Sequence, residues 1–115
     1  IYRSFGKVKV PQGSRISFGK TNDDADFNFS DDIEDLNFHR LKKGDLFGMF
    51  FDSSKSLEIY DNSGQLIGES LFDYENNQIL TSKEFVPAML TKETKIINQD
   101  CLCYLLEEIT LDSLS

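Results

Sequence analysis

SLEIYDNSGQLIGESLF, residues 56–72, is the stretch that decides the predicted fold. Its two arms, LEIY and QLIGESLF, are rich in the branched and aromatic side chains that favour β-strands, and they flank the tetrapeptide DNSG. Gly64 can adopt the positive φ that closes a short hairpin loop. The stretch therefore predicts a β-hairpin.

Alternation of polar and apolar residues predicts strands before this hairpin as well. KVKV (7–10), RISFGK (15–20) and DFNFS (26–30) each place their apolar side chains on one face. PQGS (11–14) separates the first two runs and has the Pro and Gly of a turn. We therefore expect a first hairpin around this turn.

Turn residues also divide the middle of the chain. LKKGD (41–45) and YENNQ (74–78) predict turns, whereas DLFGMFFD (45–52) is apolar on both faces and predicts a central strand covered on both sides. ILTSKEFV (79–86) predicts a strand that ends before Pro87, because proline cannot donate to a β-ladder.

Helices have few candidates. SDDIEDLNFHRLKK (30–43) fits a helix capped by Ser30 or a strand from Leu36, and PAMLTKETK (87–95) fits a helical turn or a loop. IINQDCLCYLLEEITLDSL (96–114) favours one or two strands, although its CYLLEEITL part also fits a helix. With turns roughly every 8–12 residues, we predict an all-β domain over residues 1–115. We expect an antiparallel sandwich or partly open barrel of about seven or eight strands, with at most one short helix.

The charge is large and uneven. The 115 residues carry a net charge of −8, which disfavours direct binding to nucleic acid and favours basic proteins as partners. Residues 1–20 hold five cations and no acid, whereas residues 21–39 hold seven carboxylates and no Lys or Arg. Either the basic start neutralises the acidic middle in the fold, or the acidic block faces outward.

The acidic stretch DDADFNFSDDIED (23–35) has the ligand spacing of an EF-hand calcium loop but lacks two of its requirements. Phe29 stands where the loop needs glycine, and Asp35 stands where it needs the longer glutamate. We therefore predict no metal site here.

A partner-binding surface is the alternative reading of these carboxylates. If Phe27 and Phe29 anchor a strand in the core, Asp26 and Asn28 face away from it, and the other acids flank them. Such a surface attracts a cationic partner, although a solvated loop that maintains solubility has the same composition. The predicted partner-binding residues are Asp23, Asp24, Asp26, Asp31, Asp32, Glu34 and Asp35.

Catalysis has little support in the sequence. His39 is the single histidine, no activated Ser or Cys accompanies it, and the glycines do not form a phosphate-binding loop. We therefore predict a protein that is not an enzyme, with no catalytic residues and no cofactor.

The cysteines and the hydropathy indicate a compartment. Cys101 and Cys103 are two apart, so a strand places both on one face, where bridging them is awkward. We expect reduced, buried thiols. No apolar run approaches the roughly 20 residues of a membrane helix, and no signal peptide opens the chain. A cytoplasmic location without membrane contact is the prediction.

In size, acidity and lack of a catalytic motif, the chain resembles the small acidic immunity and antitoxin proteins of bacterial contact-dependent inhibition systems. That resemblance implies an inhibitor that occludes the active site of a basic nuclease toxin, with carboxylates of residues 23–35 pairing with the Lys or Arg that hold phosphates. Two other classes remain open. One is a structural or adhesive β-domain of a larger protein, and the other is a β-sandwich that binds sugars or lipids through exposed aromatic rings.

Overall fold

The computed structural model describes residues 1–21, 23–67 and 71–109. Within these ranges the chain forms nine β-strands, a 3₁₀ helix at Ile33–Leu36 and one α-helix, α1, at Thr94–Gln99. The strands are β1 (Tyr2–Lys9), β2 (Ile16–Phe18), β3 (Phe27–Phe29), β4 (Leu46–Phe50), β5 (Glu58–Asp61), β6 (Phe72–Glu75), β7 (Gln78–Thr81), β8 (Val86–Ala88) and β9 (Cys103–Glu108). The predicted all-β class is confirmed.

The strands form two sheets that enclose one core. One sheet has the order β5-β1-β9-β8, and the other has the order β2-β3-β4-β7-β6. Every paired strand runs antiparallel to its neighbour except β2, which runs parallel to β3. The arrangement is the predicted β-sandwich, with one parallel pair that the alternation pattern did not indicate.

Phenylalanine rings fill the space between the sheets. Phe27 and Phe29 point into the core, as their alternation predicts. The ring of Phe47, on β4, lies with its centroid 5.9 Å from that of Phe29 and 4.9 Å from that of Phe72. Its centroid is 6.3 Å from that of Phe85, which immediately precedes β8 of the other sheet. These rings therefore connect the two layers.

The turn within residues 56–72 forms as predicted. The carboxylate of Asp61 accepts hydrogen bonds from the backbone of Ser63 and Gln65, and Gly64 adopts a φ of +87°. The returning arm contacts β5 through a bridge at Leu66, and β6 then belongs to the other sheet. The part of this arm at residues 68–70 lies outside the described residues.

The first hairpin was predicted wrongly. The PQGS turn is present, with the Ser14 N–H donating to the Pro11 carbonyl at 3.1 Å, but it carries the chain from one sheet to the other. The reason lies in β1, which pairs with β5 on one side and β9 on the other, so neither of its edges is open to β2.

Two further turns are confirmed, and they delimit the middle strands. Lys42 and Asp45 close the LKKGD turn, where the Asp45 N–H donates to the Lys42 carbonyl at 3.1 Å. Asn76 and Asn77, both with positive φ, form the two-residue loop between β6 and β7. β4 is the central strand of its sheet, as predicted, but Leu46 is 55% exposed, so the strand is not covered on both faces.

The last third differs from the prediction in three places. The single strand predicted at 79–86 is divided into β7, which ends at Thr81, and β8, which begins at Val86. Pro87 lies inside β8 rather than after a strand, which is possible because β8 is the edge of its sheet. Residues predicted as strand at 96–99 belong to α1, with Ile97 buried and Ile96 exposed.

The helix proposed for 30–43 is reduced to the 3₁₀ turn, and no strand begins at Leu36. No helix in the described ranges is long and apolar enough to cross a membrane.

Gly48 provides a test of the ring packing. A Cβ at this position would lie 2.5 Å from Cδ1 and 2.7 Å from Cε1 of Phe29. We expect Gly48→Ala to lower the free energy of unfolding by about 1–3 kcal/mol, because the ring must leave its position or β4 must shift. Urea denaturation measures the loss.

A double variant identifies its cause. Phe29→Leu shortens the obstructing side chain, so the combined loss in the double variant should be smaller than the sum of the two single losses. A Gly48→Ala variant as stable as the wild type would contradict the packing described here.

Candidate functional site

Asp26 does not belong to an outward-facing acidic surface, so the prediction that its side chain is exposed was wrong. The residue is 6% exposed, and its carboxylate accepts hydrogen bonds from the Arg15 backbone N–H and from Lys55 Nζ, both at 2.8 Å. Asn28 is buried as well and donates through Nδ2 to Ser17 Oγ at 2.8 Å.

The connection between β2 and β3 contributes to the burial of Asn28. It returns over the polar face of β3, where the Lys20 carbonyl accepts a second hydrogen bond from Nδ2 of Asn28. The polar side chains of β3 therefore find partners in the protein instead of water. Alternation placed Asp26 and Asn28 opposite the phenylalanines but could not show that this second face is covered.

The buried carboxylate is electrostatically stabilised. The hydrogen bond from Lys55 lowers the pKa of Asp26 below its usual value of 3.8, and the backbone N–H of Arg15 lowers it further. The Arg15 guanidinium lies 3.9 Å from the same carboxylate. Asp26 thus acts as a structural anion that joins β2, β3 and the segment at 52–56.

The other six predicted carboxylates are exposed and form two groups. Asp23 and Asp24 lie in the connection between β2 and β3. The second group follows β3 around the 3₁₀ helix and consists of Asp31, Asp32, Glu34 and Asp35. The second group is the denser one, and it is the one that borders a groove.

This groove lies between the 3₁₀ helix and β4 and has a volume of about 450 Å³. Its apolar lining includes Leu36, Leu46 and Met49, and the acidic residues Asp32 and Asp35 border it. We call these five residues the acidic groove. It combines carboxylates with accessible apolar surface. Sequence reasoning missed it because Leu46 and Met49 belong to a run that predicted a fully covered strand.

The acidic segment is held firmly against the fold. Ile33 is buried in the core, and Asp31 pairs with Lys92 at 3.2 Å. The Asn37 side chain donates to the Leu90 carbonyl at 3.1 Å and accepts from the Leu90 N–H at 2.7 Å. The carboxylates between these attachments are therefore presented on a fixed backbone.

The basic start of the chain is largely engaged elsewhere. Arg3 pairs with Glu107 of β9, and Lys7 lies 3.9 Å from Asp100. Arg15 does meet the acidic stretch, but through the buried Asp26. The cations of residues 1–20 therefore neutralise the carboxylates of residues 21–39 only in part. The carboxylates around the 3₁₀ helix still form an acidic surface.

The remaining candidates for chemistry are structural or dispersed. His39 is exposed on the loop after the 3₁₀ helix. Cys101 and Cys103 are free and buried, as predicted, and burial raises the pKa of both thiols. Among the described residues, no three His, Cys, Asp or Glu side chains are grouped to hold a metal ion.

Asp26→Asn tests the structural role of the buried carboxylate. The variant keeps the side-chain volume but loses the charge, so we expect the free energy of unfolding at pH 7 to fall by about 1–3 kcal/mol. Because the folded pKa is depressed, the carboxylate stabilises the fold above its unfolded pKa, and this contribution is lost as pH falls through the folded value. The stability of the two proteins should therefore converge progressively as pH falls below 3.8, as followed by urea denaturation.

Asp23→Asn is the matched control, since it removes the same charge from an exposed loop. Its unfolding curves should follow those of the wild type at every pH measured. An Asp26→Asn variant that tracks this control would contradict the role of the buried pair.

Comparison with known proteins does not supply a family. No protein-family model matches the chain, and neither a curated protein nor a solved structure matches it. The function has to be inferred from the chain's own residues and their geometry.

Proposed function

We propose that the protein is a non-enzymatic inhibitor of the immunity or antitoxin type, which occludes the active site of a basic nuclease toxin in the bacterial cytoplasm. The observation that carries this proposal is the acidic groove of about 450 Å³, where Asp32 and Asp35 lie beside apolar side chains. The cationic residues of a nuclease cleft normally hold phosphates, and carboxylates can replace those phosphates as acceptors.

Charge favours this class of partner over nucleic acid. A net charge of −8 repels a phosphate backbone and accelerates the encounter with a basic protein. Once the partner is docked, the apolar lining contributes buried area, which charge pairs alone do not provide. The groove therefore offers both parts of a protein interface.

The anchoring of the acidic segment favours recognition over mere solubility. Ile33 and Asn37 fix the 3₁₀ helix at both ends, so ordering this segment costs little when a partner binds. A loop whose role is only to keep the protein in solution gains nothing from such attachments. Preorganised carboxylates are what an occluding inhibitor requires.

The phenylalanine rings of the core give no comparable support to a sugar-binding or lipid-binding surface. Phe27, Phe29, Phe47, Phe72 and Phe85 are buried in the core, where they pack against one another. Rings in this position cannot stack on a ligand.

The proposal is tested by charge reversal in the groove. The tagged chain is passed through native lysate at low and high salt, and retained proteins are identified by mass spectrometry. We expect a basic nuclease that is retained at low salt and released near 1 M salt, where the screening length falls to about 3 Å. Asp32→Lys combined with Asp35→Lys should weaken its binding at least about tenfold. The wild-type chain should also suppress its cleavage of RNA or DNA.

Asp73→Lys combined with Glu75→Lys is the matched control, because both residues are exposed on β6 and the change in net charge is the same. This control should retain the partner. Equal weakening by both double variants would mean that net charge alone attracts the partner. Unchanged binding by the groove variant would remove the groove from the interface.

A further inference from the structure

Two large apolar side chains are exposed close to the acidic segment. Phe38 is 60% exposed and Met89 is 66% exposed. All ten phenylalanines lie in the described ranges, and Phe38 is the one among them whose side chain is exposed. Neither residue belongs to the acidic groove.

Both residues also have an unfavourable backbone conformation. The φ angles are +65° at Phe38 and +63° at Met89, in the left-handed region that glycine and asparagine tolerate and bulky residues avoid. Asn76 and Asn77 adopt positive φ in an ordinary hairpin loop, so their residue type accounts for it. Residue type does not account for it at an exposed phenylalanine or methionine.

Hydrogen bonds hold the two residues on facing segments. The Phe38 N–H donates to the Pro87 carbonyl at 2.8 Å. The side chain of the preceding Asn37 binds both the N–H and the carbonyl of Leu90, which follows Met89. The surrounding contacts therefore impose the strained conformation, and backbone strain that is imposed in this way is concentrated at functional sites.

The pair adjoins the acidic group. Phe38 follows the 3₁₀ helix by two positions, and the pairing of Asp31 with Lys92 ties the segment after Met89 to the start of that helix. Exposed apolar side chains surrounded by charge have the composition of an interface centre with its polar rim.

We propose that Phe38 and Met89 are the apolar anchors of the interface, and that they insert into a partner segment that carries apolar side chains between Lys or Arg residues. This inference rests on the proposed function, which supplies the basic partner. Charge complementarity selects this occupant. A second copy of the chain carries the same net charge of −8 and an anionic membrane is also negative, so the protein repels both.

Two synthetic peptides of equal length and charge provide the probes. One alternates lysine with leucine, and the other alternates lysine with serine. By calorimetry, we expect the wild-type chain to bind the lysine–leucine peptide at least about tenfold more tightly than the lysine–serine peptide. Phe38→Gly combined with Met89→Gly should abolish this preference.

Two controls separate the anchor from general effects. Leu66→Ala removes another exposed apolar side chain, and Asn76→Gly introduces glycine at another positive φ. Both should keep the wild-type preference for the lysine–leucine peptide.

The urea midpoint of the double glycine variant distinguishes binding anchors from residues with a purely structural role, because loss of a structural role would lower it. Glycine relieves the strain at Phe38 and Met89, and these exposed side chains bury little area, so the urea midpoint of the double glycine variant should equal or exceed that of the wild type. A lower midpoint would show that the two residues serve the fold and would overturn the inference.

The charge variant of the groove distinguishes the two proposals. If Asp32→Lys with Asp35→Lys weakens both peptides while the glycine variant keeps the leucine preference, the anchor is overturned and the proposed function stands. If the glycine variant loses the preference while the charge variant binds both peptides like the wild type, the anchor is supported and the groove loses its role.

Discussion

The ring of Phe47 is the contact on which the arrangement of the two sheets depends. It lies on the central strand β4 and packs against Phe29 and Phe72 of its own sheet and against Phe85 at the entry to the other sheet. Aromatic pairs at these separations add about 0.5–1.5 kcal/mol each to the burial of their area. Because Phe29 occupies the space beside β4, the residue that follows Phe47 has to be glycine.

The position of the acidic segment around the 3₁₀ helix is determined by contacts that begin in this core. The backbones of Phe85 and Leu41 exchange two hydrogen bonds, of 2.9 and 3.2 Å, so the position of the ring at 85 also places the segment at 37–41. Asn37 then binds Leu90, and the 3₁₀ helix and the loop after β8 become one surface. The carboxylates around that helix are thus positioned by contacts that originate between the sheets.

Local patterns predicted the parts of this structure that local physics determines. Phe27 and Phe29 face the core because side chains alternate along a strand, and the turns at Gly44 and Gly64 form because glycine accepts a positive φ. The covering of Asp26 could not be predicted, since alternation shows which residues share a face and not what lies against it. The acidic groove and the exposed position of Phe38 depend on segments distant in sequence, so no single stretch carries a signal for them.

The energetics of the acidic segment bear on whether it was retained for solubility or for recognition. Repulsion among its exposed carboxylates is weakened by water and salt, so a free loop would accommodate it at little cost. The chain instead buries Ile33, which contributes about 1.5–3 kcal/mol, and holds the far end through the amide of Asn37. This stabilisation keeps like charges close together on a fixed backbone. The fold therefore holds these carboxylates together against their mutual repulsion. A cationic surface that neutralises their charges would relieve that repulsion.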